Sequence, residues 1–289
     1  MFAAMCLIWG STWIAAKAGL MVVPPSLYAG TRFVVAGGAI LLFVGWRRHA
    51  MRVAPGHRAR MAAVALLMVS ATYSLLFWGA SVLSTGMAAI LDMAFIPMAL
   101  LGIGALFGED RITAGRACGI GVGVGGLVML FGPRAFTGDG TSTIELLAAG
   151  ATVLSAILYS LGSVLARPLL RVYSPLLIAG VTNLGGGIVM VAGSVAFEPG
   201  AVAALSGRWG LAAWAGWWFL VVFGSLAAFT IFLHLVREWG GARAGAYAFV
   251  SPVIAVMLGI AVYGETVTPM EAAGMATMLA GAWLTVRPA

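Results

Sequence analysis

The chain has 289 residues, of which 62% are hydrophobic and 9% charged, whereas a typical soluble domain has about 25% charged residues. This composition excludes a water-soluble globular protein and predicts an integral membrane protein with many spans. The net charge of +7 could suit nucleic acid, but the basic residues fall in short gaps between apolar runs, where orientation signals lie. No nucleic-acid partner is therefore expected.

A transmembrane helix needs about 20 apolar residues, and the apolar runs predict ten such helices. Their approximate bounds are Phe2–Leu20, Pro25–Trp46, Met61–Gly79, Gly86–Phe107, Ala114–Phe131, Thr143–Leu165, Pro175–Phe197, Leu211–Leu235, Ala244–Tyr263 and Pro269–Val286. Because Met1 leads directly into an apolar run without a basic region, the first run is expected to be a span rather than a cleaved signal peptide. Cys6 and Cys118 lie within apolar runs, so both are predicted to be buried thiols rather than a disulfide.

Helix-start residues support several of these boundaries. Ser142 with Glu145 and Thr268 with Glu271 have capping-box spacing, and Ser174 precedes a proline at the first helical position. With the N-terminus inside, twelve arginines fall on the inner side and two on the outer side. The positive-inside rule then predicts that both termini are cytoplasmic.

A long stretch of the sequence occurs twice. Residues 84–126 recur as residues 240–281, with Pro97 and Pro252 at equivalent positions 155 residues apart. The earlier parts of the two halves match at an offset of 150 residues. Since each copy holds five spans, the two copies must cross the membrane in opposite directions. The sequence therefore predicts two inverted repeats, residues 1–136 and 137–289, an architecture that suits alternating access.

The residues that carry a family resemblance are the opening Trp9-Gly10-Ser11-Thr12-Trp13, then Pro24-Pro25 and Arg32-Phe33, and the repeated proline. In these features the chain resembles the EamA family of the drug/metabolite transporter superfamily. The resemblance implies an all-α fold of ten transmembrane helices in two inverted five-helix repeats. It also implies a central cavity formed by helices 1, 3, 4, 6, 8 and 9, with helices 5 and 10 at the periphery. The aromatic-rich spans are most similar to bacterial aromatic amino-acid exporters of the YddG type, which implies an inner-membrane location.

Asp92 is the only acidic residue deep within a predicted span. An ionisable group at that depth is costly and is a candidate functional site. Asp92 could couple transport to protons or bind a substrate amine. Alternatively, it could form a structural salt bridge or hydrogen bond with Lys17, Arg32 or a neighbouring helix end.

Four residues are candidates for a gate or hinge. Pro97 and Pro252 remove a hydrogen bond near the middle of helices 4 and 9, which predicts a hinge, a gate or a simple packing kink. Lys17 and Arg167 are related by the repeat and could close opposite ends of the pathway. Their alternative role is to extend toward the lipid headgroups, and Arg32, early in the second span, has the same two candidate roles.

Aromatic and hydroxyl side chains on the cavity helices complete the predicted substrate site and favour a planar or apolar substrate over a phosphate or sugar nucleotide. With Asp92, the predicted substrate-binding residues are Trp9, Ser11, Trp13, Tyr73, Phe77, Trp78, Phe95, Tyr159, Ser163 and Tyr247. Core packing and interhelical hydrogen bonds are the alternative roles of such residues.

The sequence contains no H-E-x-x-H or G-x-S-x-G motif, so no catalytic residue, metal or cofactor is expected. Gly121-x-Gly123-x-x-Gly126 matches a dinucleotide fingerprint, but it lies in an apolar span without a preceding strand and predicts close helix packing. The predicted function is export of small amphipathic metabolites, aromatic amino acids above all, by alternating access through a central neutral cavity. The alternatives are a drug or other metabolite exporter, an uptake carrier, or an intramembrane enzyme or receptor. The partners expected are a small-molecule substrate and the bilayer, with a homodimer left open.

Overall fold

The computed structural model describes the chain over residues 1–47, 52–83, 85–135, 142–263 and 267–287, and its secondary structure over these residues is helical without strands. Within these ranges, the side chains left outside the description are those of residues 13, 14, 17, 85, 86, 131–135, 259 and 261–263.

Ten long helices follow the order of the predicted spans. They are α1 Phe2–Leu20, α2 Pro25–Trp46, α3 Pro55–Val82, α4 Thr85–Leu106, α5 Ala114–Ala135, α6 Thr143–Leu170, α7 Pro175–Phe197, α8 Leu211–Trp239, α9 Tyr247–Tyr263 and α10 Pro269–Val286. Two single-turn helices, Ala201–Ala204 and Gly241–Ala244, lie in the connections. Seven helices in the described chain are long and apolar enough to cross a membrane, and α1 and α5 contain shorter apolar segments. The all-α membrane fold is confirmed, although the described helices that meet both the length and the hydropathy requirement number seven rather than ten.

Several helix ends extend beyond the apolar runs that predicted them. Helix α3 begins at Pro55 rather than Met61 and thus includes basic residues at its start. Helix α6 continues to Leu170, so Arg167 lies in its last turn and not in a loop. Hydropathy places the ends where polar residues begin, but a helix continues through polar residues whose side chains find solvent or partners.

The predicted helix starts are confirmed. Ser142 and Thr268 each form a complete capping box with the glutamate three residues later. The Ser174 hydroxyl accepts a hydrogen bond from the backbone N–H of Leu177. These caps satisfy backbone donors that the first turn of a helix leaves unpaired.

Two helices contain π-helical turns that the sequence analysis did not predict. They are Leu66–Ala71 in the middle of α3 and Leu220–Ala228 in the middle of α8. Both segments are apolar and lack proline, so hydropathy gives no sign of them. A π-helical turn shifts the side chains that follow it around the helix axis, and such turns are frequent at functional sites.

Helices α2 and α7 pack with their backbones in close contact at glycines. A Cβ atom added to Gly37 would lie less than 3.0 Å from the backbone nitrogen of Leu184 on α7. A Cβ added to Gly187 would lie 2.7 Å from the backbone nitrogen of Val34 on α2. The two contacts are reciprocal: Gly37 faces the residue three positions before Gly187, and Gly187 faces the residue three positions before Gly37.

Helices α5 and α10 pack in the same manner. A Cβ on Gly126 would lie 2.6 Å from the backbone nitrogen of Met278. A Cβ on Gly281 would lie less than 3.0 Å from the backbone nitrogen of Gly123. The glycine pattern on α5 therefore serves helix packing, as predicted. Of the two cysteines, Cys6 is buried in the core as predicted, but the prediction for Cys118 is wrong, because its side chain is exposed on α5.

Candidate substrate cavity

A cavity of about 100 Å³ lies inside the bundle. Described residues of α1, α3, α4, α6, α8 and α9 line it, and these are the six helices that the family resemblance implied. The described part of α2 also contributes, through Arg32 and Phe33, whereas the described residues of α5 and α10 do not reach the cavity.

Six of the predicted substrate-binding residues line this cavity: Trp9, Tyr73, Phe77, Asp92, Tyr159 and Tyr247. The rings of the five aromatic residues fall into two contact groups: Trp9, Tyr159 and Tyr247 are linked through Phe232, and Tyr73 contacts Phe77. The ring centroids of Trp9 and Tyr247 are 4.4 Å apart, and those of Tyr73 and Phe77 are 5.9 Å apart. These distances are typical of tilted and edge-to-face aromatic pairs.

Other residues of the predicted set do not line the cavity. The Ser11 and Ser163 hydroxyls donate hydrogen bonds to carbonyls of their own helices. Trp78 is 41% exposed on the outside of the bundle, and Phe95 packs against the hydrophobic core. The side chain of Trp13 lies outside the described residues.

Arg32 is the main cavity residue that the predicted set omitted. It is only 5% exposed, and its guanidinium carbon lies 4.5 Å, 5.2 Å and 5.6 Å from the ring centroids of Phe33, Tyr73 and Phe77. Its Nε atom is buried and has no hydrogen-bond partner among the described residues. Three ring faces thus hold a cation within the range of cation–π attraction. An arginine within an apolar span was the available signal, but the roles expected for Arg32 were those of a gate residue, a headgroup-facing side chain or a partner for Asp92.

Asp92 faces the same cavity and is 7% exposed. Among the described side chains, no basic nitrogen lies within 4.0 Å of its carboxylate. The proposed salt bridge to Arg32 is therefore not formed, and the Lys17 side chain lies outside the described residues. Instead of the neutral cavity predicted from the sequence, one arginine and one aspartate face a common space.

The π-helical turn of α8 supplies the polar backbone and side chains opposite Arg32. Gly224 and Ser225 line the cavity, and a Cβ on Gly224 would lie 4.0 Å from an Nη atom of Arg32. The Ser225 hydroxyl oxygen is buried, and the described part of the chain offers it no hydrogen-bond partner. Buried polar atoms are normally paired, so both Arg32 Nε and the Ser225 hydroxyl are available to a polar ligand or water.

A charged cluster, called the Arg167 cluster below, lies at the end of the bundle that the arginine distribution predicts to be cytoplasmic. A terminal nitrogen of Arg167 lies 3.4 Å from a Glu109 carboxylate oxygen and 3.5 Å from one of Asp110, and it also donates to the Glu109 carbonyl. Arg171 contacts Glu109 at 2.6 Å. Asp110 accepts a hydrogen bond of 3.2 Å from the backbone N–H of Gly241. The cluster thus joins the α4–α5 turn to the end of α6 and to the α8–α9 connection.

The electrostatics of this cluster depend on burial. Burial raises the pKa of the Asp110 carboxyl, whereas Arg167 and Arg116 oppose that rise. Gly240 allows the close approach of the connection, because it has φ of +84° and a Cβ there would lie 2.7 Å from an Asp110 oxygen. Removing Arg167 would therefore leave a buried carboxylate without its nearest compensating charge.

The sequence profile of the EamA-like transporter family matches residues 1–132 and 146–287, which is most of the chain. The chain belongs to the EamA-like transporter family. The prediction of this family from the sequence motifs is therefore confirmed. The transporter is also a multi-pass membrane protein.

Relatives of this EamA-like transporter include proteins from bacteria and plants. It is 30% identical over 273 residues to the uncharacterized inner membrane transporter YedA of Escherichia coli K12, covering 93% of this chain and 83% of YedA. It is 25% identical to the WAT1-related protein At3g02690, chloroplastic, of Arabidopsis thaliana, over 96% of this chain and 66% of that protein. A crystal structure with 19% sequence identity superposes with a TM-score of 0.79 over 98% of this chain and 94% of that chain, which shows a shared fold.

The two span prolines of this EamA-like transporter stand next to the cavity. Pro97 and Pro252 are buried within α4 and α9, and neither lines the cavity. The preceding residues, Ile96 and Ser251, do line it. The helices therefore lack a backbone hydrogen bond at the level where they surround the cavity.

Proposed function

We propose that this EamA-like protein carries small amphipathic metabolites, aromatic amino acids in particular, out of a bacterial cytoplasm across the inner membrane. The observation that carries the proposal is that aromatic side chains from both halves of the chain enclose one cavity. Trp9, Tyr73 and Phe77 come from the first half, and Tyr159 and Tyr247 from the second. Planar rings offer a large apolar surface to a substrate and lose little side-chain freedom on binding.

The inverted repeat is part of this proposal. The glycine contacts between α2 and α7 relate Gly37 to Gly187 at an offset of 150 residues. Those between α5 and α10 relate Gly126 to Gly281 at an offset of 155 residues. Each pair makes the same contact in the two directions, as expected if residues 1–136 and 137–289 are two copies related by an approximate two-fold axis. Two matches to one family profile also support this division.

The proposed mechanism is alternating access. A cavity of about 100 Å³ is well below the roughly 300–1,000 Å³ of most ligand sites, so a metabolite requires the bundle to open. Helices α3 and α4 would move against α8 and α9, with bending at Pro97 and Pro252. The Arg167 cluster would close the cytoplasmic end in the conformation described and would separate when that end opens.

Counterflow into proteoliposomes tests this function. Liposomes containing the purified protein are loaded with unlabelled phenylalanine, diluted into radiolabelled phenylalanine at equal pH, and compared with protein-free liposomes. We expect saturable accumulation that tryptophan and tyrosine inhibit more strongly than alanine, and that a sugar nucleotide does not inhibit. Absence of accumulation both at equal pH and under an imposed pH gradient would rule out aromatic amino acids as substrates. Accumulation only under the gradient would instead show ion coupling.

A further inference from the structure

We propose that Arg32 and Asp92 form a zwitterion-binding subsite, in which Arg32 binds the carboxylate and Asp92 binds the ammonium group of one substrate molecule. The inference rests on the proposed function, because it assigns the head group of the substrate to residues of the same cavity. It predicts that α-amino acids as a class are preferred over amines, carboxylic acids and phosphate esters of similar size.

The arginine requires an anionic partner that the described chain does not provide. Arg32 is 5% exposed, has a buried Nε without a hydrogen-bond partner and forms no ion pair within the described residues. Cation–π contacts with three rings hold the guanidinium in place but leave the hydrogen-bonding edge available. A guanidinium binds a carboxylate through two parallel hydrogen bonds. A substrate carboxylate would satisfy this edge, and the same aromatic rings would then contact the substrate.

The aspartate requires a cationic partner on the same grounds. Asp92 is 7% exposed and makes no ion pair with any described side chain. An isolated buried charge in a membrane protein is costly and is normally paired. A substrate ammonium group would supply both the charge and the hydrogen-bond donors that a carboxylate accepts.

The positions of the two residues favour a single ligand that bridges them. Arg32 is the eighth residue of α2 and Asp92 the eighth residue of α4. Both helices begin at the end predicted to be external, so both residues lie about 10 Å from that end. They line one cavity without coming within 4.0 Å of each other. A zwitterion places opposite charges a short distance apart on one molecule and adds no net charge to the cavity.

This arrangement also explains selectivity against other ligand classes. A phosphate ester would find Arg32 but would bring its negative charge toward Asp92. An amine without a carboxylate would find Asp92 but would bring a cation toward Arg32. Like charges in a cavity of low polarity repel strongly. A half-ligand, meaning a molecule that carries only one of the two charges, therefore binds less tightly than the zwitterion.

Three ligands with the same phenyl group separate the two contacts. L-Phenylalanine has both charges, 3-phenylpropionate has only the carboxylate and phenethylamine has only the ammonium group. Their affinities are measured by competition against radiolabelled phenylalanine on wild-type protein, and by direct binding calorimetry on Arg32→Gln and Asp92→Asn. Because hydrogen bonds to charged groups contribute more than neutral ones, we expect wild-type protein to bind phenylalanine at least about tenfold more tightly than either half-ligand.

The two variants should show opposite patterns. Arg32→Gln should weaken phenylalanine binding and raise the affinity for phenethylamine relative to that for phenylalanine. Asp92→Asn should also weaken phenylalanine binding, but it should raise the affinity for 3-phenylpropionate relative to that for phenylalanine. Arg208→Gln, which alters an exposed arginine outside the helices, serves as the control and should change none of the affinities. Size-exclusion profiles and unfolding temperatures establish that each variant is folded, and Arg32→Lys and Asp92→Glu replace any variant that is not.

Three outcomes would overturn the inference. Equal loss of affinity for all three ligands would indicate a purely structural role for the two charges. Unchanged affinities would show that neither charge contacts the substrate. Counterflow of a metabolite that is not a zwitterion, with no binding of phenylalanine, alanine or leucine, would overturn this subsite while leaving the carrier function intact.

Discussion

Arg167 and Arg171 contact the same carboxylate oxygen of Glu109, but they differ in exposure. The Arg167 side chain is 18% exposed and the Arg171 side chain 65% exposed. A solvated ion pair contributes little, because water and salt screen it. A buried pair costs more to break, because the remaining charge loses its partner in a place that water reaches poorly. Arg167 is less exposed than Arg171 and also contacts Asp110, so it contributes more to holding this end of the bundle together.

The first prediction compares these two arginines. Arg167→Gln should lower the free energy of unfolding by about 1–3 kcal/mol, since it leaves Glu109 and Asp110 without their shared partner. Arg171→Gln, the matched control, should change it by about 0–1 kcal/mol. Thermal unfolding in detergent, followed by tryptophan fluorescence, measures both. Equal effects of the two variants would contradict the larger role assigned to Arg167.

At the scale of the helix, packing depends on which face a glycine occupies. Gly37 and Gly38 are neighbours on α2, but only Gly37 lies against the backbone of α7, whereas a Cβ on Gly38 would meet nothing within 4 Å. A Cβ at Gly37 must push two helix backbones apart, because backbone atoms cannot rotate away as a side chain does. A Cβ at Gly38 only adds helix propensity.

The second prediction follows from this difference. Gly37→Ala should destabilise the protein by about 1–3 kcal/mol through overpacking, whereas Gly38→Ala should be neutral or stabilise it by up to about 1 kcal/mol. Unfolding temperatures of the two variants under one set of conditions give the comparison. A Gly37→Ala protein as stable as Gly38→Ala would show that α2 and α7 are less closely packed than described.

The third prediction concerns the helix breaks at Pro97 and Pro252. Replacing either residue by alanine restores a backbone donor and should stiffen its helix beside the cavity. We expect Pro97→Ala and Pro252→Ala each to slow phenylalanine counterflow while leaving the equilibrium dissociation constant nearly unchanged. Transport rates equal to wild type in the double variant would remove bending at the prolines from the mechanism.

The same helices show how far sequence reasoning reaches. Apolar length and capping residues predicted the order of the helices and the starts of α6, α7 and α10, because these signals are local. The π-helical turns have no local signal, since both segments are apolar and lack proline. A spacing of four residues places Tyr73 and Phe77 on one helix face, but spacing alone does not tell that Trp78 points away from the cavity. The side-chain position of Arg32 depends on rings from two helices, so it required the structure.

At the scale of the whole molecule, the Arg167 cluster connects the two halves of the chain. The hydrogen bond between Asp110 and the Gly241 backbone N–H joins the α4–α5 turn of the first half to the α8–α9 connection of the second half. If access alternates, this contact must break once in every transport cycle. The contact between Arg243 and the Arg287 carbonyl, by contrast, lies within the second half and need not break.

The fourth prediction tests this requirement with reversible cross-links. In a Cys118→Ser background, which removes the exposed native thiol, a short bifunctional thiol reagent joining Asp110→Cys to Gly241→Cys should abolish phenylalanine counterflow, and reduction should restore it. The same reagent joining Arg243→Cys to Arg287→Cys is the matched control and should leave counterflow intact, because both residues move with one half. Mass spectrometry of the same proteoliposomes gives the cross-linked fraction. Full counterflow at complete cross-linking of the first pair would mean that the two halves do not separate at this end, since a carrier that alternates access cannot keep one end permanently closed.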